Sequence, residues 1–170
     1  MYQPGATVRC TVKEIPQDAA QIICALLHLD ALQAQVQQPV SKATAVLAIP
    51  LPNMDFAGYL LKVLALDGEG HPLKTIYQAV DCSSNWTRFP RYGYVWDFTE
   101  NANPSKVMAE LNRYHINGIQ FYDWQYRHHQ PVAPDLNGWT DWSGRRIDGE
   151  VLRACLASAH QYGMACMAYN

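Results

Sequence analysis

The stretch Ile119-Gln120-Phe121-Tyr122-Asp123-Trp124-Gln125-Tyr126-Arg127-His128 decides the fold of the second half of this chain. It begins with apolar residues, as expected of a strand in a parallel sheet that is shielded on both faces. It then runs into aromatic, acidic and basic side chains. Ligands of open α/β sheets bind beyond the carboxyl ends of the strands, so we predict a binding site where this strand ends.

Strands and helices alternate around this stretch. We predict strands over 91–96, 119–124 and 164–169, and a parallel sheet with right-handed crossovers. A first helix begins at Pro104 after the cap residue Asn103, and Asn117-Gly118 ends it. Its expected buried stripe is Val107, Met108, Leu111 and Tyr114.

A second helix is predicted between a long polar loop, 125–146, and the last strand. Asp148 is its expected cap, and Gly163 is expected to end it. The residues expected to face inward are Val151, Leu152, Cys155, Leu156 and Ala159.

The first half of the sequence follows an all-β pattern. Short apolar runs at 6–13, 21–29, 44–51 and 59–66 are separated by turn signals, and 67–70 with 71–80 predicts a hairpin. Helix formers are frequent over 18–38, but Ile22-Ile23 and the turn-like Leu29–Ala31 favour two strands. We predict an immunoglobulin-like β-sandwich, with Tyr59 placed where such folds have a tyrosine corner.

The polar segment 82–87 is the predicted boundary between two domains, residues 1–86 and 87–170. A (β/α)₈ barrel takes about 250 residues, so the second domain is expected to be the first β/α units of an incomplete barrel. A very small open α/β domain is the alternative. We therefore expect the chain to be the N-terminal part of a longer enzyme.

Composition narrows the classes of partner. The net charge of −2 gives no reason to expect nucleic acid or an anionic membrane as partner. No apolar run approaches the roughly 20 residues of a membrane span. No signal peptide is visible at the start, so localisation is left open between cytoplasmic and truncated.

The five cysteines, Cys10, Cys24, Cys82, Cys155 and Cys166, form no zinc-ligand pattern. We expect free thiols in the core; a pairing of Cys10 with Cys24 or with Cys82 stays open. No glycine-rich phosphate loop is present, and we predict neither a cofactor nor a metal site.

The loop after the Ile119 strand is rich in side chains that suit a carbohydrate. Aromatic faces stack on sugar rings, and charged or amide groups bind sugar hydroxyls in fixed directions. The alternative is that these aromatics only pack the loop. The residues concerned are Trp124, Tyr126, Arg127, His128, His129, Trp139, Asp141 and Trp142.

Acidic and amide groups follow the neighbouring strands as well. Asp97 and Asn170 are each either a substrate contact or a loop cap. Asp97 and Asp123 are the candidates for the two carboxyl groups of glycoside hydrolysis. However, we expect Asp123 to pair with Arg127, which would lower its pKa and make it a poor proton donor. No catalytic pair is assigned.

Several motifs together resemble glycoside hydrolase family 66, the endo-dextranases and cycloisomaltooligosaccharide glucanotransferases. They are Arg91–Phe98, Tyr114–Trp124, Arg127-His128, Ala159–Met164, Met167–Asn170 and, near the start, the Tyr2–Gly5 turn. The resemblance implies an immunoglobulin-like domain before a barrel, and retaining chemistry on α-1,6-linked glucans (dextran or isomaltooligosaccharides). It places the Asp nucleophile and the Glu acid/base on later barrel strands, so no catalytic residue is carried over.

What the resemblance does imply here is one wall of the substrate cleft. The substrate-binding residues that we predict are Asp97, Tyr122, Asp123, Trp124, Arg127, His128, Tyr169 and Asn170. Three hypotheses follow: a dextranase-like hydrolase or transglycosylase fragment, a non-catalytic carbohydrate-binding fragment, and an unstable partial gene product. Hydrolysis and cyclising transfer both stay open.

Overall fold

The computed structural model describes residues 1–169. The chain forms two compact units, residues 1–88 and a second unit that begins at residue 89. The fold type that we predict for each part, over 1–86 and 87–170, stays a prediction.

The first unit consists of six strands. They are β1 (Thr7–Val12), β2 (Gln21–His28), β3 (Ala31–Pro39), β4 (Ala45–Pro50), β5 (Ala57–Leu66) and β6 (Pro72–Cys82). β1 and β4 form one antiparallel pair, and a second antiparallel sheet has the order β3-β2-β5-β6. A short parallel bridge joins Tyr2 to Cys82.

The core of this unit lies between its two sheets. Side chains alternate between buried and exposed along β4 and β5, as they do when one face of a sheet covers a core. The inward residues of both sheets belong to one buried apolar cluster. Two strands, not a helix, occupy 21–39, because Leu29 and Asp30 both take positive φ (46° and 67°) and make a tight hairpin turn.

Tyr59 departs from the predicted tyrosine corner. It lies near the start of β5 and is only 4% exposed, as that motif requires. Its Oη, however, is buried and has no hydrogen-bond partner among the described residues, whereas a tyrosine corner donates to the backbone. The ring instead packs against His28, with 5.5 Å between the ring centres.

The second unit begins after a 3₁₀ turn, Trp86–Arg88. Its elements are β7 (Tyr92–Val95), α1 (Pro104–Arg113), β8 (Gly118–Phe121), β9 (Gly138–Thr140), β10 (Arg146–Asp148), α2 (Gly149–Gln161) and β11 (Ala165–Ala168). β7, β8 and β11 form a parallel sheet with β8 in the centre. β9 and β10 form a small antiparallel hairpin inside the loop that we expected to be irregular.

Both helices begin where the sequence predicts, and α2 also ends there. α1 ends at Arg113, before the predicted Asn117-Gly118, because His115 takes a positive φ of 60° and stops the helix. The Asn103 side chain accepts a hydrogen bond from the Lys106 N–H, and Asp148 accepts from the N–H groups of Glu150 and Val151. Gly163 has φ of +68° directly after α2.

The buried stripe of α1 is narrower than predicted. Met108 is fully buried and Leu111 packs on the core, but Val107 and Tyr114 are 39% and 77% exposed. At about 100° per residue, Val107 and Tyr114 lie on one flank of the helix, roughly 100–120° from Met108. The expectation that they are buried was wrong because the core touches only the Met108 side.

The two described helices cover one face of the parallel sheet. Ile119 and Phe121 are buried in the core that includes residues of α1 and α2. A Cβ on Gly93 would lie 3.1 Å from the Ile116 side chain, so β7 approaches the segment after α1 closely on this face. The other face carries exposed side chains, among them Tyr94.

Candidate functional site

Three tyrosines form a row across the carboxyl ends of the three parallel strands. Tyr94 lies in β7, and Tyr122 and Tyr169 directly follow β8 and β11. The ring centres of Tyr122 and Tyr169 are 4.5 Å apart, and those of Tyr94 and Tyr122 are 6.1 Å apart. Main-chain bonds from Tyr122 N to Val95 O (2.8 Å) and from Tyr169 N to Phe121 O (3.1 Å) hold the backbone of this row in register.

The row presents both ring surface and hydroxyl groups. Tyr94 is 66% exposed and Tyr122 is 38% exposed. The pKa of Tyr122 lies above its ordinary value, chiefly because a charge on Tyr169 and the Asp123 carboxylate oppose a second negative charge there. The Tyr122 hydroxyl therefore keeps its proton at neutral pH and can donate a hydrogen bond.

Two tryptophans fasten the loop after β8 to the sheet. The indole N–H of Trp124 donates to the carbonyl oxygen of Tyr169 (3.1 Å), and the indole N–H of Trp139 donates to the carbonyl oxygen of Trp124 (3.1 Å). Trp139 is 6% exposed, and Trp124 packs against the core. Both rings are therefore part of the packing that supports the tyrosine row.

Arg145, which is not among the site residues predicted from the sequence, is the polar centre of the site. Its Nε lies 2.8 Å from Oδ2 of Asp141, whose side chain is fully buried. Its Nη2 donates to the carbonyl oxygen of Asp123 (2.8 Å) and lies 3.8 Å from the Asp123 carboxylate. Its guanidinium carbon also lies 5.6 Å from the ring centre of Trp96.

The predicted pairing of Asp123 with Arg127 was wrong, since Arg145 takes the Asp123 carboxylate. Arg127 instead donates to the carbonyl oxygens of Tyr126 (2.7 Å) and Thr140 (3.0 Å). Its guanidinium also stacks over the Tyr126 ring at 4.1 Å. Arg127 thus ties the start of the loop to strand β9.

The remaining predicted site residues are at the periphery or serve the local backbone. Asp97 accepts from the N–H (3.1 Å) and hydroxyl (2.8 Å) of Thr99, which is the geometry of a loop cap. His128 is exposed and packs against Trp142, with ring centres 5.0 Å apart. Asn170 lies outside the described residues.

Asp141 is an ionised carboxylate built into a turn. Burial raises the pKa of Asp141, but hydrogen bonds from Arg145 and Ser143 outweigh it, and the net pKa lies below its usual range. Its Oδ1 accepts from both the N–H and the hydroxyl of Ser143 and from the Arg145 N–H. This carboxylate holds Arg145 in place and is not a proton donor.

The sequence contains two patterns that point to the site residues that were not predicted. Asp141-Trp142-Ser143-Gly144-Arg145 has the composition of a polar turn in which an acid faces a base four residues on. Tyr92, Tyr94 and Trp96 are spaced two apart, so a strand places them on one face.

Two cavities adjoin the site. One, of about 260 Å³, is apolar and lies between α2 and strand β11, beside Trp124 and Leu156. The other, of about 350 Å³, is an open cleft in the loop between Arg127 and Trp139. Within residues 1–169 no cluster of three or more His, Cys, Asp or Glu side chains is placed to hold a metal ion. Neither described helix is long and apolar enough to cross a membrane.

The amino-acid sequence matches one known protein family. The model of glycosyl hydrolase family 66 matches residues 1–170. The chain belongs to glycosyl hydrolase family 66. The resemblance deduced from the motifs is thereby confirmed.

Two curated proteins are similar to this chain. A cycloisomaltooligosaccharide glucanotransferase of Niallia circulans is 34% identical over 125 residues, which cover 68% of this chain and 12% of that protein. A dextranase of Streptococcus salivarius is 26% identical over 127 residues, which cover 66% of this chain and 15% of that protein. The match thus spans about an eighth of the length of these relatives.

A solved structure is also similar to this chain. It is the crystal structure of a Paenibacillus sp. cycloisomaltooligosaccharide glucanotransferase complexed with cycloisomaltoheptaose. The TM-score is 0.80 at 27% identity, and the match covers 99% of this chain and 26% of that one. The mostly β architecture with few helices agrees with the N-terminal part of a family 66 protein.

Proposed function

We propose that the first unit is an immunoglobulin-like β-sandwich, residues 1–86. Its pairings support this proposal. In such folds the second and fifth strands pair in one sheet, and the third, sixth and seventh strands form the other, extended by an extra edge strand. Here β1-β4 corresponds to the first pair and β3-β2-β5-β6 to the extended second sheet.

For residues 87–170 the proposal is the beginning of a (β/α)₈ barrel. Barrel strands are covered by helices on the outside only, whereas open doubly wound sheets have helices on both faces. The parallel sheet here has its helices on one face and exposed tyrosines on the other. Its strands also follow each other in space in chain order.

The proposed activity is that of a retaining glycoside hydrolase or transglycosylase on α-1,6-linked glucan, dextran or isomaltooligosaccharides. This chain would supply one wall of the substrate cleft. The observation that carries the proposal is the row Tyr94–Tyr122–Tyr169 at the carboxyl ends of the parallel strands, where barrel active sites lie. Tyr94 and Tyr122 in this row are exposed. Tyrosine rings offer flat apolar surface and a hydroxyl in the same side chain.

Within that wall, different residues would have different roles. Tyr122 and Tyr169 would contact glucose units. Asp123, Trp124 and Arg127 would maintain the shape of the cleft through the bonds described above, and Asp97 would shape the loop after β7. His128 would lie at the rim, and Asn170 stays a predicted substrate-binding residue. The nucleophile and the acid/base would come from other barrel strands.

A chimeric enzyme tests this proposal. Residues 1–170 would replace the matching segment of the Niallia circulans cycloisomaltooligosaccharide glucanotransferase, and kcat/KM would be measured on dextran. We expect an active chimera in which Tyr122→Ala lowers kcat/KM about tenfold, because stacking on one sugar ring is lost; this corresponds to about 1.4 kcal/mol.

A matched control is Tyr77→Ala, which removes a 56% exposed tyrosine on β6. It should leave kcat/KM unchanged. An active chimera with equal effects of the two substitutions would contradict the role given to the tyrosine row.

The second candidate is a non-catalytic carbohydrate-binding fragment. It is favoured by the fact that the three tyrosines are assembled by residues 89–169 themselves. Titration of the isolated chain with isomaltotriose, against maltotriose as the α-1,4-linked control, would then give saturable heat that Tyr122→Ala abolishes. Equal heats for the two trisaccharides would exclude this reading. The third candidate, an unstable partial product, would give no cooperative unfolding transition.

A further inference from the structure

Two cysteines face each other across the two sheets of the first unit. Cys10 lies in β1 between the buried residues Val8 and Val12, two positions from each, so it shares their inward face. Cys24 holds the equivalent place in β2, between the fully buried Ile22 and Leu26. β1 and β2 belong to different sheets that share one core.

The two thiols act on each other's ionisation, with the Cys24 thiol as hydrogen-bond donor to the Cys10 thiolate. The bond lowers the pKa of Cys10 to about 7, although partial burial opposes this shift. The same bond, together with burial, raises the pKa of Cys24, so Cys24 stays a protonated donor.

The Cys10 sulfur is more accessible to solvent than the Cys24 sulfur. Cys10 is half-buried and Cys24 is fully buried. A reagent in solution therefore meets Cys10 first, and it meets it in the form that reacts, since the thiolate is the nucleophile.

The other three thiols have different surroundings. The Cys82 thiol donates to the carbonyl oxygen of Met54, with 3.4 Å between the sulfur and the oxygen. Cys155 and Cys166 belong to the second unit. Of the two pairings that the sequence left open for Cys10, the structure supports Cys24.

We propose that Cys10 and Cys24 are a redox-sensitive pair that closes a disulfide between the two sheets when a peroxide or disulfide oxidant is present. With hydrogen peroxide, the Cys10 thiolate attacks one oxygen, the O–O bond breaks, and hydroxide leaves Cys10 as a sulfenic acid. The Cys24 sulfur then attacks the Cys10 sulfur, the S–O bond breaks, and the Cys24 proton leaves with the oxygen. Two thiols are oxidised, and one peroxide is reduced to two molecules of water.

The test uses the full chain treated with one equivalent of hydrogen peroxide at pH 7.5, with thiols counted after denaturation. We expect the thiol count to fall from five to three. The mass should fall by two hydrogen atoms, and non-reducing peptide mapping should join the peptides that contain Cys10 and Cys24.

Cysteine variants distinguish oxidation of the Cys10–Cys24 pair from oxidation of the other thiols. Cys10→Ser and Cys24→Ala should each abolish the cross-link, and Cys24→Ala should also slow the reaction of Cys10 with peroxide at pH 7.5, because the donor that lowers the pKa of Cys10 is lost. Cys82→Ser should cross-link as the wild type does. A pair that includes Cys82, a disulfide between two chains, or retention of all five thiols would overturn the proposal. If Cys24→Ala does not fold, Cys10→Ser and the wild-type peptide map still decide the question.

Discussion

At the scale of single residues, the buried Asp141 carboxylate determines where Arg145 lies. It accepts from two backbone N–H groups and one hydroxyl, and it pairs with the guanidinium. Removing one partner of a fully buried ion pair costs about 3–5 kcal/mol. The Arg145 side chain is 29% exposed, so solvent reduces this cost.

We expect Asp141→Asn to lower the free energy of unfolding of the second unit by about 2 kcal/mol. Tryptophan fluorescence during urea denaturation is a suitable measurement, because four of the five tryptophans lie after residue 89. Asp135→Asn is the control, since exposed Asp135 accepts a single bond from the Asn137 N–H; its effect should stay below about 0.5 kcal/mol. Equal effects would contradict the role given to Asp141.

The stabilising contribution of the Asp141 carboxylate should depend on pH. Its pKa is lower in the folded chain than the value of about 4 expected in the unfolded chain. Its stabilising contribution is therefore complete above about pH 4 and is lost as the pH falls through the folded pKa. The difference in unfolding free energy between the wild type and Asp141→Asn should be full at pH 7 and smaller at pH 3. A constant difference would show that the charge is not responsible.

The Asp123 pairing shows what the sequence reveals at this scale. Arg127 lies four residues from Asp123 and was the obvious local partner. Arg145 lies 22 residues away and is carried to Asp123 by the hairpin of β9 and β10. Pairings set by the path of a long loop have no local pattern, so the sequence alone leads to the nearer arginine.

At the scale of elements, the start of α2 is fixed by close packing. Gly149 donates its N–H to the carbonyl oxygen of Asn137 (2.9 Å), and a Cβ at this position would lie 1.9 Å from the Leu136 carbonyl oxygen. Backbone atoms cannot give way as a flexible side chain does. The residue therefore has to be glycine although its position is the first of a helix.

Gly149→Ala should destabilise the second unit by about 3 kcal/mol, at the upper end of overpacking effects. Gly68→Ala is the matched control, because nothing lies within 4 Å of its added Cβ and its φ is not positive. Urea denaturation followed by tryptophan fluorescence measures both. Equal stability of the two variants would mean that the junction of loop and helix adapts.

Removal of the cap of α1 should lower stability by a smaller amount. The Asn103 side chain accepts from the Lys106 N–H at 3.1 Å. Asn103→Ala should therefore cost about 1 kcal/mol, and the nearby exposed Asn101→Ala should cost almost nothing. No loss in Asn103→Ala would imply that water replaces the cap.

Elements with local signals were predicted well. Asn103, Asp148 and Gly163 act through neighbours within four residues, and the structure confirms them. The β9–β10 hairpin was missed because each strand has only three residues, too few for alternation to be visible.

At the scale of the whole molecule, β7 and β11 are both edge strands of the parallel sheet among the described residues. Within residues 1–169, β11 pairs with β8 alone, and the apolar cavity beside β11 is lined by Trp124, Leu156 and Met167. Unpaired strand edges and exposed apolar surface promote association between chains.

We expect the isolated chain to associate as its concentration rises, and Met167→Lys to reduce that association by placing a charge next to the edge. Sedimentation velocity over a range of concentrations is the measurement. Val46→Lys is the control, because Val46 is 54% exposed on β4 in the first unit. A chain that stays monomeric at high concentration, or equal effects of the two lysines, would contradict this expectation.

The hairpin that ends at Asp148 also has an evolutionary consequence. Asp148 closes β10, caps α2 and donates its N–H to the Phe98 carbonyl oxygen at 2.8 Å, so a residue inserted between 138 and 149 would disturb three junctions at once. No residue within 128–136 joins three elements in this way. Related sequences should therefore gain or lose residues within 128–136 and keep a constant length from Gly138 to Gly149, so the cleft rim can diversify while the supporting frame is inherited intact.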